Sequence, residues 1–402
     1  MTIKTKFNLP TVILGIFAVM GFSAIGYQLV NGLGVTGMNN IVSWGTYIML
    51  FMFFVGLSAG GLIVSSSATV FNIPSFKVVA KPATILSTVC VIVAAGFIMV
   101  DLGNPFRMLN LLLHSNFKSP LMWDVMVISL YLVINVLYLY LMTREKPNQK
   151  AMKIMSSVAL PVAILVHSVT AWIFGLQIAR GAWHTAIMAP LFVASALDSG
   201  LALLLIVLVL LATFKVFVVE KKLITTLAGL LVTFVAVDAY LLLSEMITMI
   251  YPQGEAMHHA EVLISGQLAP YFWIQVILGL VVPLAILLFK KNREKMRLVV
   301  FSSALIVFGV LCKRIWLLFS AFVHPNIAEG QGITLGYNQP NIWSTVGTYS
   351  PSLVELMISV GLISFGILLF SFLAKKILVQ KSSQENQFSD KEGKIYSMVK
   401  NG

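Results

Sequence analysis

Apolar residues in this chain fall in long unbroken runs, not at every second position or every third to fourth. Ten runs approach or exceed 20 residues, at about 9–30, 43–71, 79–102, 121–142, 152–177, 188–214, 223–250, 269–289, 297–320 and 350–374. A run of about 20 apolar residues matches the ~30 Å hydrocarbon thickness of a bilayer. Lipid offers no partner to a bare peptide group, so runs of this length predict helices. The expected fold is all-α and integral to a membrane, with ten transmembrane helices in one polytopic domain over residues 1–380. The first run follows Lys4 and Lys6, exceeds a signal peptide's apolar core and has no small-x-small site after it, so it reads as a retained helix. Residues 381–402 are rich in Ser, Gln and Lys and read as a disordered cytoplasmic tail.

A faint echo runs through the pattern. Phe53–Gly61 in the second run resembles Leu191–Gly200 in the sixth, and Pro120-x-x-Trp123 resembles Pro270-x-x-Trp273. Each pair lies four runs apart, which suggests two four-helix bundles in parallel pseudo-repeat, with the remaining helices flanking them.

Composition agrees with the pattern. The chain is 58% hydrophobic and 10% charged, with a mean hydropathy of +0.93. Its net charge of +12 reports orientation and predicts no nucleic-acid partner. All 27 Lys and Arg lie at the termini or in alternate connections, except Arg107, Lys118, Arg180, Lys313 and Arg314. The positive-inside rule makes that basic side cytoplasmic and puts both termini there. The loops near 251–268 and 321–349 contain no Lys or Arg and are candidate docking surfaces.

The exceptions lead to the candidate chemistry. The stretch 101–124 gathers Asp101, Arg107, His114, Lys118 and Asp124 between two apolar runs. At about 1.5 Å per residue, Asp101, Asp124, His167, Glu245, Lys313, Arg314 and Glu355 fall toward the outer side, and Asp198 and Asp238 nearer the middle. The inner half carries hydroxyls, such as Ser65, Ser66, Thr84 and Ser87. Ionisable residues are expensive in hydrocarbon and mark pairs or sites. A histidine beside carboxylates passes protons near neutral pH. Arg and Asn hold a carbonyl oxygen, and Trp44, Tyr47, Trp123, Trp172, Trp183 and Tyr349 supply apolar walls. A quinone headgroup wants this mixture, as do other amphipathic ligands. Asp101 and Arg107 also suit a purely structural tie at the end of the third helix. Cys90 and Cys312 are too few for an iron–sulfur cluster, and His167 is the one histidine well inside a run, so no intrinsic haem or cluster is expected.

The residues resemble the NrfD/PsrC family, the membrane subunits of polysulfide reductase and related complexes. The resemblance rests on Asp101-Leu-Gly-Asn-Pro-Phe-Arg107, His114 and Ser119-Pro-Leu-Met-Trp-Asp124. It rests also on Trp44-Gly-x-Tyr47, His167-Ser-x-Thr-Ala-Trp-Ile-Phe174, Trp183-x-Thr-Ala186 and Pro190-x-Phe-Val-x-Ser-Ala196. Asp238-x-Tyr240, Ser244-Glu245 and Tyr349-Ser-Pro-Ser-x-x-Glu355 complete it. Ten helices fit the longer branch of that family.

The resemblance implies a menaquinone or ubiquinone pocket at the outer face, beside a docked ferredoxin-like iron–sulfur subunit. A molybdopterin or multihaem cytochrome c subunit would complete the complex, in the cytoplasmic membrane of a bacterium or archaeon. It implies a chain that is not catalytic alone and either quinol oxidation feeding a reductase, the expected direction, or quinone reduction by a dehydrogenase. By this reading the quinone and proton-transfer residues are His167, Asp101, Arg107, His114, Asp124, Asn40, Trp44, Tyr47 and Trp123. Ser43 stands where the polysulfide reductase type has histidine, which passes the proton role to His167 or His114. Asp198, Asp238, Glu245, Arg314 and Glu355 form a candidate proton path, and no metal site is expected. The competing readings are a secondary transporter, which parallel repeats and midplane aspartates also suit, and a non-redox anchor.

Overall fold

The computed structural model describes residues 9–39, 41–144, 148–323 and 349–379. Asn40, most of the 321–349 loop and the 381–402 tail lie outside the described residues. Among the described residues the regular structure is helical and there is no strand. Among the described residues, ten helices are long and apolar enough to cross a membrane. They are α1 (Leu9–Asn31), α2 (Thr46–Val70), α3 (Ala80–Asp101), α4 (Pro120–Thr143), α5 (Gln149–Gly175), α6 (Met188–Thr213), α7 (Lys221–Ile250), α8 (Ala269–Leu287), α9 (Met296–Val323) and α10 (Leu353–Leu378). The protein is a multi-pass, all-α integral membrane protein. The α2–α3, α4–α5, α6–α7 and α8–α9 connections share the basic end; the other end is here called distal.

Local chemistry fixes the helix starts. Pro120 and Pro270 sit in first turns, where a missing N–H costs nothing. The Asn148 side chain accepts from Lys150 N at 3.0 Å and Ala151 N at 3.2 Å, capping α5. Ser352 and Glu355 form a reciprocal capping box on α10. The echoing tryptophans behave alike: the Trp123 indole donates to Phe117 O at 2.7 Å, and that of Trp273 to Ile264 O at 2.9 Å. Within α8, Ile274–Val281 takes a wider π-helical turn that ends just before Pro283, which has no N–H to bond back.

The helices pack in two rings. Helix α2 packs on α3 and α5, and α4 bridges α3 to α5. Helix α6 packs on α7 and α9, and α8 bridges α7 to α9. Contacts of α2 with α6 and α9, and of α5 with α6, join the rings, while α1 and α10 pair with each other beside α3. At the α2–α6 crossing, a Cβ on Gly60 would lie 2.5 Å from Gly200 Cα, so the backbones meet without side chains. Such close approach is how helices associate where lipid is as apolar as leucine. Exposed side chains on the lipid-facing helices are largely apolar, among them Val133 and Val136 on α4 and Val237 and Leu243 on α7. The charged side chains of the membrane interior are buried.

Candidate functional site at the distal end of helix 2

The distal end of α2 carries a polar network. The Thr46 N–H donates to Tyr349 Oη at 2.8 Å, and the Thr46 hydroxyl lies 2.8 Å from the same oxygen. Tyr349 Oη donates to Glu355 Oε1. Glu355 Oε2 accepts from Gly37 N at 2.7 Å and Ser352 N at 2.8 Å. Glu355 is wholly buried in the first turn of α10, where the helix dipole favours a carboxylate. Burial and the hydrogen bond to Glu355 push the Tyr349 phenol above its ordinary range, so it remains a donor. Gly45 is required beside it, because a Cβ there would fall 2.6 Å from Tyr349 Oη.

A second set of hydrogen bonds starts at the next residue of α2. Tyr47 Oη donates to Gln28 Oε1 at 2.6 Å, and Gln28 Nε2 donates to Val100 O at 2.9 Å. The next residue is Asp101, within electrostatic range of Glu355 and Tyr47. Its Oδ1 is buried and has no hydrogen-bond partner among the described residues. A groove of about 200 Å³ opens alongside, walled by Phe22, Ile25, Gly96, Met99 and Leu362, with Gln28 as its polar residue. Tyr47, Asp101 and Glu355 do not line it; Val100, next to Asp101, does.

A second feature caps the junction of the two rings. Trp44 and Trp183 stack with centroids 6.0 Å apart and planes 19° apart. Phe174 stands edge-on to both, at 5.7 and 5.1 Å. The Trp183 indole donates to Leu317 O at 2.7 Å. The Arg180 guanidinium lies 4.8 Å over Phe322 and donates to Ala321 O at 2.6 Å, fixing the α5–α6 connection to the end of α9.

Below it lies a buried charge cluster. Lys313 Nζ is 2.6 Å from Asp238 Oδ1, and neither side chain is exposed. Arg314 Nη2 donates to Ser195 Oγ at 2.8 Å, and the guanidinium lies 4.2 Å over the Phe192 ring. Asp198 is wholly buried, in electrostatic range of Asp238, Lys313 and Arg314. Neither of its oxygens has a side-chain hydrogen-bond partner among the described residues; the Ser199 backbone N–H is the polar group close to it. Glu245, toward the distal end, accepts from Thr185 Oγ1 at 2.9 Å.

The geometry regroups the residues singled out in the sequence. It puts Tyr47, Asp101 and Glu355 within electrostatic range of one another, and Glu355 stands there and not with Asp198, Asp238 and Arg314. His167 lies deeper, its Nδ1 2.9 Å from Ala163 O and its Nε2 3.1 Å from Val55 O, in electrostatic range of Arg314. Asp124 is buried in the first ring and accepts from Thr170 Oγ1 at 2.6 Å. Arg107 and His114 are on the distal side, in the connection between α3 and α4, and Arg107 is exposed. Gln28 was not anticipated; its signal is a lone amide within the first apolar run.

A family model described as polysulphide reductase, NrfD, matches residues 34–326. The chain belongs to the NrfD family. Over 95% of its length it is 35% identical to a candidate dimethyl sulfoxide reductase membrane subunit of Halobacterium salinarum, covering 93% of that protein. It is 27% identical to a selenate reductase subunit of Mesobacillus selenatarsenatis, over 93% of this chain and 94% of that one. It is 31% identical to the Hdr-like menaquinol oxidoreductase integral membrane subunit of Archaeoglobus fulgidus, over 89% and 90%. The NrfD match takes in Tyr47, Asp101 and the buried charge cluster; Gln28, Tyr349 and Glu355 lie outside it, on or beside the flanking helices α1 and α10.

Proposed function

We propose that the chain is the membrane subunit of a respiratory oxidoreductase complex and that it oxidises menaquinol at the distal end of α2. The observation that carries this reading is the apolar groove lined by Gln28 and Val100, with the buried, unpartnered Asp101 Oδ1 at the next residue. The names of the relatives support it: two are subunits of reductases and one is a menaquinol oxidoreductase subunit.

A quinol, when bound, supplies two electrons and two protons. The groove accepts an isoprenoid chain and excludes water from it. Gln28 holds Tyr47, and Tyr47 orients the headgroup. Asp101 takes a proton at Oδ1, the atom with no competing donor. Glu355, held by two backbone N–H groups, sets the negative potential beside it. Ubiquinone fits the same chemistry; the distinction is made by assay.

Electrons pass to a ferredoxin-like iron–sulfur subunit docked on the distal face, and from there to a molybdopterin or multihaem cytochrome c subunit. With the basic end cytoplasmic, the distal face is outside the cell membrane of a bacterium or archaeon.

The test is oxidation of a menaquinol analogue by the assembled complex. Asp101→Asn lowers turnover about 100-fold, the lower range for loss of a positioned proton acceptor, while the complex still assembles. Wild-type turnover in both Asp101→Asn and Tyr47→Phe removes the assignment. Iron and molybdenum assayed on the co-purifying subunits identify the partner, and a chain that purifies alone without either removes the redox reading.

A further inference from the structure

At the basic end of the second ring an arginine points away from water. The α8–α9 connection makes a helical turn, Lys290–Arg293, that packs on α7. Hydrogen bonds fix its place. The Asn292 amide donates to Ile286 O at 2.9 Å, Arg293 N to Phe289 O at 3.3 Å, and Thr225 Oγ1 on α7 to Arg293 O at 3.4 Å. From that level the Arg293 side chain runs along α7 to Gly229, where a Cβ would lie 2.6 Å from Nη1. Gly229 comes four residues after Thr225, so the guanidinium lies about 6 Å farther from the basic end than the backbone that carries it.

Long cationic side chains near a membrane surface ordinarily snorkel toward water. Arg293 turns the other way and meets no anion. Its Nε is buried with no hydrogen-bond partner. Among the described residues its guanidinium makes no hydrogen bond, ion pair or ring contact, and the nearby carboxylates of Glu220 and Glu294 are exposed and unpaired with it. The other arginines are settled. Arg107, Arg144 and Arg297 are exposed, while Arg180 and Arg314 each donate a hydrogen bond and lie over an aromatic ring.

The surroundings say which anion suits this cation. A guanidinium presents a rigid fork of N–H donors that matches the oxygens of a phosphate. Lys221, Lys222, Lys290 and Lys291 are exposed around it and draw negative charge to this corner. Immediately before the turn, Leu288 and Phe289 are each 63% exposed, an apolar surface at the end of α8. A phosphate in water would meet the lysines first. An anion that carries its own apolar part can reach a guanidinium turned toward the bilayer. Basic pockets between helix ends bind lipid headgroups in this way.

We propose that the notch at Gly229 seats the phosphodiester of an anionic phospholipid from the leaflet at the basic end. The Arg293 fork holds the phosphate oxygens, and the acyl chains lie along Leu288 and Phe289. The absent Cβ of Gly229 leaves the guanidinium its place against α7. The seated lipid ties α7 to the α8–α9 turn, and no residue of the quinol site takes part.

The full chain in detergent, stripped of lipid, tests the site by titration with phosphatidylglycerol, phosphatidylcholine or inorganic phosphate. Native mass spectrometry counts bound lipid. Wild type is expected to retain phosphatidylglycerol in preference to phosphatidylcholine. Arg293→Gln should weaken that binding about 10-fold, as expected for loss of hydrogen bonds to a charged group. Gly229→Ala keeps the charge, favours the helix and displaces the guanidinium, so it should weaken lipid binding without lowering the melting temperature. Lys153→Gln, an exposed lysine at the basic end of α5, should leave binding unchanged. Equal affinity in wild type and Arg293→Gln overturns the proposal, as does a loss in Lys153→Gln as large as that in Arg293→Gln. Competition by millimolar inorganic phosphate that empties the site overturns the lipid as occupant. A photoreactive phosphatidylglycerol reads the wild-type chain with no substitution. Crosslinks within residues 285–293 or 222–233 are expected, and crosslinks confined to other helices overturn the assignment.

Discussion

The Lys313 ammonium and the Asp238 carboxylate meet at 2.6 Å, with neither side chain reaching any surface. Such a pair is weak evidence of net stabilisation, because both ions lose their hydration. Breaking it is another matter. Lys313→Met leaves Asp238 buried and unpaired, in electrostatic range of Asp198, and about 3–5 kcal/mol of stability should be lost. The double variant Lys313→Met/Asp238→Leu should recover most of it. Thermal unfolding in detergent, followed for both variants, checks the contrast; equal melting temperatures for single and double would show that the pair is not coupled.

The Gly60–Gly200 crossing predicts a steric effect that depends on position. Gly60→Val drives side-chain atoms into the Gly200 backbone and should cost about 1–3 kcal/mol or more by overpacking. Gly15→Ala is the control, since a Cβ there meets nothing within 4 Å. That change should be neutral or should stabilise α1 by up to about 1 kcal/mol, from helix propensity. Melting temperatures of the two variants measure the difference.

The ten helices were legible because a run of some 20 apolar residues has few other uses. The boundaries moved little: α9 continues to Val323 where the sequence suggested 320, and α8 stops at Leu287 where it suggested 289. The π-helical turn at Ile274–Val281 was not legible, since its side chains are as apolar as those of a regular helix. Depth could be counted along each run, which put Lys313 and Arg314 toward the outer side and Asp198 and Asp238 nearer the middle, although Lys313 and Asp238 meet at 2.6 Å. Rotation could not. In a uniformly apolar helix the lipid face and the packed face share a composition, so nothing in sequence said that Lys313 turns to Asp238. The same blindness hid Gln28 and grouped Glu355 with Asp198, although Ser352-x-x-Glu355 already had the form of a capping box.

Tyr349 joins the start of α2 to the start of α10, and its phenol makes an alkaline prediction. Its raised folded-state pKa means that its contribution is fully present below the unfolded phenol value of about 10 and is lost as pH rises from there toward the higher folded value. The network should be insensitive to pH through the neutral range and weaken in strong alkali. Tyr349→Phe removes the phenol, leaves the Thr46 N–H without its acceptor, and should cost about 1–3 kcal/mol at neutral pH. The alkaline fall in melting temperature should be shallower in this variant than in wild type. Parallel pH profiles would show that the phenol does not govern that limb.

Gln28 separates positioning from proton transfer at the proposed quinol site. Its amide ties Tyr47 Oη to Val100 O, one residue before Asp101, and it has no proton to exchange near neutral pH. Gln28→Leu keeps much of the volume and removes both hydrogen bonds. Each neutral hydrogen bond is worth about 0.5–1.5 kcal/mol, so the KM for a menaquinol analogue should rise about 2- to 10-fold while kcat changes less. Asp101→Asn should do the opposite, lowering kcat with a smaller effect on KM. Steady-state kinetics of the two variants in the assembled complex make the comparison. A kcat loss in Gln28→Leu as large as that in Asp101→Asn would mean that Tyr47, once released, no longer holds the reacting geometry, and would move Gln28 from orienting the headgroup to maintaining the proton acceptor itself.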